Sequence, residues 1–175
     1  MTGHTGQKTS PMKNIINILL MGACFLCSSV FATADPDSFC LRVEGKVLNA
    51  GLQGASGCTI ELLCDGRSVE KLVVPNARKK FSFDLVKNRQ YSLKMSQSGY
   101  IDKVVTINTE LPVFFEDDYG FFFETSLLEE KHCGNFNRDV LLLPVARISW
   151  DMKRHCFYYD KEYSENIKKE MLTKR

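Results

Sequence analysis

Histidine is scarce in this sequence, with only His4, His132 and His155 among 175 residues. A Ser-His-Asp or Cys-His catalytic site needs such a base, so few arrangements of that kind are open to this chain. The sequence also lacks Gly-x-Ser-x-Gly, His-Glu-x-x-His and a glycine-rich phosphate-binding loop. We therefore predict that the protein is not an enzyme.

A surplus of positive charge is also missing. The chain has 23 Lys and Arg against 21 Asp and Glu, and Lys8 and Lys13 both precede the first acidic residue, Asp35. Without that leader the balance is 21 against 21. Nucleic-acid binding needs a cationic surplus on one face, so the sequence argues against a nucleic-acid partner.

The leader itself has a recognisable composition. An apolar run from Ile15 to Phe31 follows Lys13 and ends in Ala32-Thr33-Ala34, a small-x-small motif. A basic start, an apolar centre and such an ending are typical of a secretory signal peptide, which we assign to residues 1–34. Attachment of lipid at Cys24 and a retained membrane anchor are the alternatives. We expect an exported protein with no membrane span after cleavage.

The following segment, residues 35–130, alternates apolar and polar side chains with period two. This alternation predicts half-buried strands, and glycine-containing turns such as Asp65-Gly66 separate them. Short strands at this spacing predict an all-β fold, a seven-stranded antiparallel β-sandwich. The strands are expected at residues 40–49, 58–64, 68–74, 80–85, 91–96, 103–109 and 120–129.

Residues 131–175 form a C-terminal extension that we expect to pack on the sandwich. The apolar run 140–150 predicts a strand, interrupted at Pro144, and residues 155–160 predict a second strand that completes a β-hairpin. Ser164 is placed to cap a short helix that runs through Thr173.

Several landmarks within residues 41–109 carry a family resemblance. They are Val43-Glu44-Gly45-Lys46-Val47, Phe81-Ser82-Phe83-Asp84-Leu85, Tyr91-Ser92-Leu93 and Gly99-Tyr100. The segment resembles the carboxypeptidase regulatory-like domain, a transthyretin-like (prealbumin-like) sandwich, although Lys80 stands where that family usually has glycine. Residues 110–163 resemble an extension of this module in exported proteins of Gram-negative bacteria. The resemblance implies a non-catalytic role at the periplasm or cell surface, with no cofactor.

Five cysteines follow the leader, an odd number for a compartment that favours disulfides. A Cys133–Cys156 disulfide is preferred because both residues lie in the extension, and Cys40 with either of them is the alternative. Cys58 and Cys64 are expected to be small buried hydrophobic residues. The His-Cys dipeptides at 132–133 and 155–156 do not have the spacing of a zinc finger, so no metal site is predicted.

The candidate binding residues combine aromatic and acidic side chains. Three consecutive phenylalanines on one strand cannot all face inward, so part of this group is expected to be exposed. The acidic residues precede them in a solvated turn. The predicted contact for a protein partner or a cell-wall polymer of the envelope comprises Phe121, Phe122, Phe123, Glu116, Asp117 and Asp118. The alternative function is a small-ligand carrier in the transthyretin manner, which requires an apolar pocket.

Overall fold

A computed structural model of the chain describes residues 38–49, 55, 57–75, 79–112, 118–134 and 136–173. The predicted signal peptide, with Cys24, and the acidic residues Glu116 and Asp117 lie outside these ranges.

Eleven strands and two α-helices make up the described chain. The strands are β1 (Phe39–Leu48), β2 (Cys58–Cys64), β3 (Arg67–Val74), β4 (Phe81–Val86), β5 (Gln90–Ser96), β6 (Tyr100–Ile101), β7 (Lys103–Asn108), β8 (Tyr119–Ser126), β9 (Leu128–Glu129), β10 (Ala146–Asp151) and β11 (Cys156–Tyr159). The helices are α1 (Arg138–Leu141) and α2 (Lys161–Leu172), and a 3-10 turn spans Glu130–His132.

The strands form a β-sandwich of unequal layers. The small sheet has the order β4-β1-β8 and the large sheet the order β11-β10-β7-β5-β2-β3, while β6 and β9 form a separate pair. Buried residues of both sheets belong to one hydrophobic cluster. The sandwich prediction is confirmed, and its single core accounts for the period-two pattern.

The seven predicted strands are present as β1–β5, β7 and β8, but the short pair β6 and β9 was not predicted, and the expectation that all pairings are antiparallel is wrong. Strand β8 pairs with β1 in parallel, and β10 pairs with β7 in parallel. Parallel neighbours need a long crossover connection, whereas antiparallel neighbours can be joined by a tight turn. Because β8 and β10 each reach their neighbour after a long intervening stretch of chain, local turn signals carried no information about these two pairings.

Strand β1 shows how the alternation becomes packing. Leu41, Val43 and Val47 are buried, and Arg42 is exposed. Residue 45 lies on the same buried face, and it is a glycine because the Phe81 ring occupies the space where a Cβ atom would lie. The Val-x-Gly-x-Val landmark therefore has a packing reason: the glycine makes room for an aromatic ring of β4.

The C-terminal segment extends the large sheet. Strand β10 adds to β7 and β11 pairs antiparallel with β10, so the predicted hairpin is confirmed. The start of the predicted apolar strand is instead α1 and a turn; the Asn137 side chain accepts the Asp139 N–H at 3.2 Å. Helix α2 begins after Asp160, not Ser164, because the Asp160 carboxylate accepts the Tyr163 N–H at 2.9 Å. None of the helices in the described ranges has the length and apolar composition to span a bilayer.

Candidate functional site

Strand β8 carries the predicted aromatic site, and its side chains divide between the two faces. Phe121 and Phe123 are half-buried and pack against the core, with their ring centroids 6.3 Å apart. Phe122 points the other way and is 49% exposed. The structure thus brings Phe121 and Phe123 together on the inner face and leaves only Phe122 on the surface.

The backbone of β8 has a free side. Its one strand neighbour in the described chain is β1. In a parallel ladder, alternate residues direct both amide groups to the neighbour, and the Leu127 N–H donates to the Leu48 carbonyl at 2.8 Å. The backbone N–H and C=O groups of the odd-numbered residues of β8 therefore point toward β1. The amide groups of Gly120, Phe122, Glu124 and Ser126 face away from it.

An apolar groove of about 700 Å³ runs along this free side. One wall is β8, the opposite wall is α2, and the floor is the inner face of β7 and β10. The apolar side chains that line it come from these elements: Phe121, Phe123, Val105, Ile148, Ile167 and Met171. The groove exists because the small sheet stops at β8 while the large sheet continues beneath it to β10 and β11.

A cation lies among these apolar side chains. Lys103 lines the groove and has the same strand phase as Val105 and Ile107, which are buried. Burial lowers the pKa of the Lys103 ammonium, because desolvation disfavours the charged form. The sequence-based site omitted Lys103, although its place in the inward phase of a predicted strand was a usable signal.

The acidic part of the predicted site is described only at Asp118. This exposed residue immediately precedes β8 and is not part of the groove lining. Its charge raises the pKa of Arg42 as a minor contribution after Asp84, which is hydrogen-bonded to the guanidinium. Asp118 therefore lies near Arg42 of β1 and outside the groove lining.

The predicted Cys133–Cys156 disulfide is not formed. Both residues are free thiols, as are Cys40, Cys58 and Cys64, the other cysteines in the described ranges. The Cys133 thiol donates to the Glu129 carbonyl at 3.2 Å, beside the β6–β9 pair. Cys156 instead begins β11, at the edge of the large sheet. Cys133 and Cys156 thus lie in the same C-terminal extension, but the fold does not bring them together.

No metal centre takes shape in the part of the chain that the structure describes. Groups of three or more His, Cys, Asp or Glu side chains placed to hold an ion are absent there.

Comparisons with known proteins give limited similarity. No protein-family model matches the chain, and no curated protein matches it. Among solved structures it is similar to catechol 1,2-dioxygenase from Acinetobacter sp. ADP1 (8% identity, TM-score 0.40, covering 55% of each chain). It is also similar to catechol 1,2-dioxygenase from Pseudomonas arvilla C-1 (11%, 0.38, 55% of this chain and 54% of that one). A third is a C-terminal fragment of the pilus adhesin SpaC from Lactobacillus rhamnosus GG (13%, 0.35, 54% and 46%). The matches thus span about half the length of these structures.

Proposed function

We propose that this protein is a non-catalytic β-sandwich module that binds an extended segment of a partner protein. The segment adds as a strand to the free side of β8 and lies in the groove. The observation that carries this proposal is the coincidence, on the side of β8 that no strand of the described ranges pairs with, of backbone groups, an apolar floor and a helical wall.

The unequal size of the two sheets gives the proposal its physical basis. A fourth strand beside β8 would lie in the groove, against the partly exposed side chains of Phe121, Phe123 and Met171. Main-chain hydrogen bonds supply affinity in such β-strand addition, and pockets for alternate side chains supply specificity. Ile167 and Met171 of α2 are placed to contact the inward side chains of the added strand. An apolar lining favours a protein segment over a polar wall polymer.

The same proposal includes a location at the cell envelope. The signal-peptide pattern of residues 1–34 supports export, and the resemblance of residues 41–109 to the carboxypeptidase regulatory-like domain supports an accessory role on that side of the membrane. Export to the periplasm or cell surface is tested by fractionation of cells that produce the full chain, with N-terminal sequencing of the exported form.

A proline on the free side of β8 tests strand addition. Glu124→Pro removes an outward-facing N–H without removing a bond to β1, and proline is tolerated at such edge positions. Partners captured from an envelope extract are identified by mass spectrometry, purified and titrated by calorimetry. We expect Glu124→Pro to weaken the binding of a true partner at least tenfold.

Glu124→Ala is the matched control, because it removes the same side chain and keeps the N–H. It should bind nearly as well as the wild type. Equal affinity of wild type and Glu124→Pro, with both folded by circular dichroism, would contradict binding at this edge.

A small-ligand carrier is the second candidate, and the volume of the groove favours it. About 700 Å³ lies within the range of roughly 300–1,000 Å³ that small-molecule pockets occupy. Native mass spectrometry of the purified protein separates the two functions. A carrier would show a bound mass that survives purification, and Glu124→Pro would not remove it.

A further inference from the structure

We propose that the segment bound in the groove presents an Asp or Glu side chain to Lys103, so that the groove selects acidic segments. This inference rests on the proposed function and names the chemistry of the partner at the same site. The carboxylate would point to the floor of the groove, and the apolar side chains on either side of it would belong to the bound segment.

The placement of Lys103 is the first observation. It is half-buried on the inward face of β7, paired in register with Met95 of β5, and Val105 follows it on the same face. A lysine at the surface would extend into water, but this one lines a groove with Phe121, Ile148 and Ile167.

The charge balance around Lys103 is the second observation. In the described ranges, no Asp or Glu forms an ion pair with it. Asp102 is engaged with Lys94 at 2.9 Å, and Glu124 is an exposed residue of the groove wall. A desolvated ammonium without a counter-ion is unfavourable, and a ligand carboxylate with good geometry offsets that cost. Burial lowers the pKa of Lys103, which agrees with this environment.

Strand geometry then defines the pattern of the bound segment. Side chains of an added strand alternate between the floor and the solvent. An acidic residue that faces Lys103 therefore has its neighbours two positions away on the same side, toward the apolar side chains that line the groove. The preferred segment reads apolar-x-acidic-x-apolar.

Selection from random decapeptides displayed on phage tests this pattern without knowledge of the natural partner. The purified chain is the target, in parallel with Lys103→Met, Lys103→Arg and Lys168→Met. Lys168 also lines the groove but is exposed on α2, so it controls for loss of a positive charge. We expect Asp or Glu to be enriched between apolar residues with the wild type, Lys103→Arg and Lys168→Met, and not with Lys103→Met.

Synthetic peptides from the wild-type selection give the quantitative test. Replacing their acidic residue by Gln or Asn should weaken binding to the wild type about tenfold and change binding to folded Lys103→Met less than twofold. Equal acidic enrichment with the wild type and Lys103→Met, or equal affinity of the acid and amide peptides for the wild type, overturns the role of Lys103. Peptides that bind without acidic preference overturn this inference alone. If no peptide is enriched and Glu124→Pro leaves the captured partners bound, the proposed function fails and the inference fails with it.

Discussion

The ammonium of Lys80 lies over the ring of Phe122, with its nitrogen 4.7 Å from the ring centroid. This cation–π contact covers part of the exposed phenylalanine of β8. It also gives a role to a lysine that stands where the resembled family usually has glycine: its side chain reaches across β1 to the outer face of β8.

The two faces of β8 should differ in their effect on stability. Phe122→Ala removes an exposed ring and the contact with Lys80, so we expect a loss of about 1 kcal/mol or less. Phe123→Ala removes a ring that contacts Phe81 at 5.7 Å between centroids, and we expect a loss of about 2–4 kcal/mol. Urea unfolding of both variants measures the difference, and equal losses would contradict the assignment of faces.

Gly45 should tolerate no larger residue. Gly45→Ala places a methyl group against the Phe81 ring and 3.1 Å from the Phe123 carbonyl oxygen, so we expect destabilisation of about 1–3 kcal/mol. Gly120→Ala is the matched control, because its Cβ meets nothing within 4 Å. Phe81→Leu combined with Gly45→Ala should cost less than the sum of the two single changes. A neutral Gly45→Ala variant would show that the Phe81 ring moves away freely.

The thiols should react in an order set by burial. Burial raises the pKa of Cys40 and of Cys58 to about 11, so neither is a thiolate near neutral pH. Cys64 and Cys156 are partly exposed. In native protein at pH 8, iodoacetamide should label Cys156 and Cys64 before Cys40 and Cys58, as measured by peptide mass spectrometry.

The same labelling, repeated on denatured and unreduced protein, tests the cysteine state directly. All five cysteines after the leader should then react, since the structure has them as free thiols. Protection of Cys133 and Cys156 under these conditions would restore the disulfide that the sequence suggested.

The charge of Lys103 should make stability depend on alkaline pH. Its pKa is lower in the folded state than in the unfolded state, so the folded state binds fewer protons between the two values. The destabilisation that the buried charge of Lys103 causes is complete below the pKa of Lys103 in the folded state. It declines as pH rises from that value toward the pKa of the unfolded state. We therefore expect the stability gained by Lys103→Met to be larger at pH 7 than at pH 10. Unfolding of both proteins at the two pH values measures it, and a gain that increases with pH would contradict the desolvated site.

Much of the fold was predictable because it depends on neighbours in sequence. Alternation placed Phe81, Phe83 and Leu85 on one buried face of β4. The hairpin at Asp65-Gly66 formed because both residues adopt positive φ, 49° and 79°, which suits a two-residue turn. The start of α2 was misplaced because Asp160 and Ser164 are both good caps, and only the position of β11 decides between them.

The candidate site was predictable only in part. Three adjacent phenylalanines marked β8 as an unusual strand, but its parallel pairing with β1 decided which rings face inward. The groove needs β7, β8, β10 and α2 together, and these elements are far apart in sequence.

The sequence alone determined most of the strands and their buried faces, because these follow from side-chain chemistry at short range. Only the tertiary structure decided the strand order, the free side of β8 and the placement of Lys103 in the groove. These depend on which distant strands meet, and that outcome is set by the packing of the whole core.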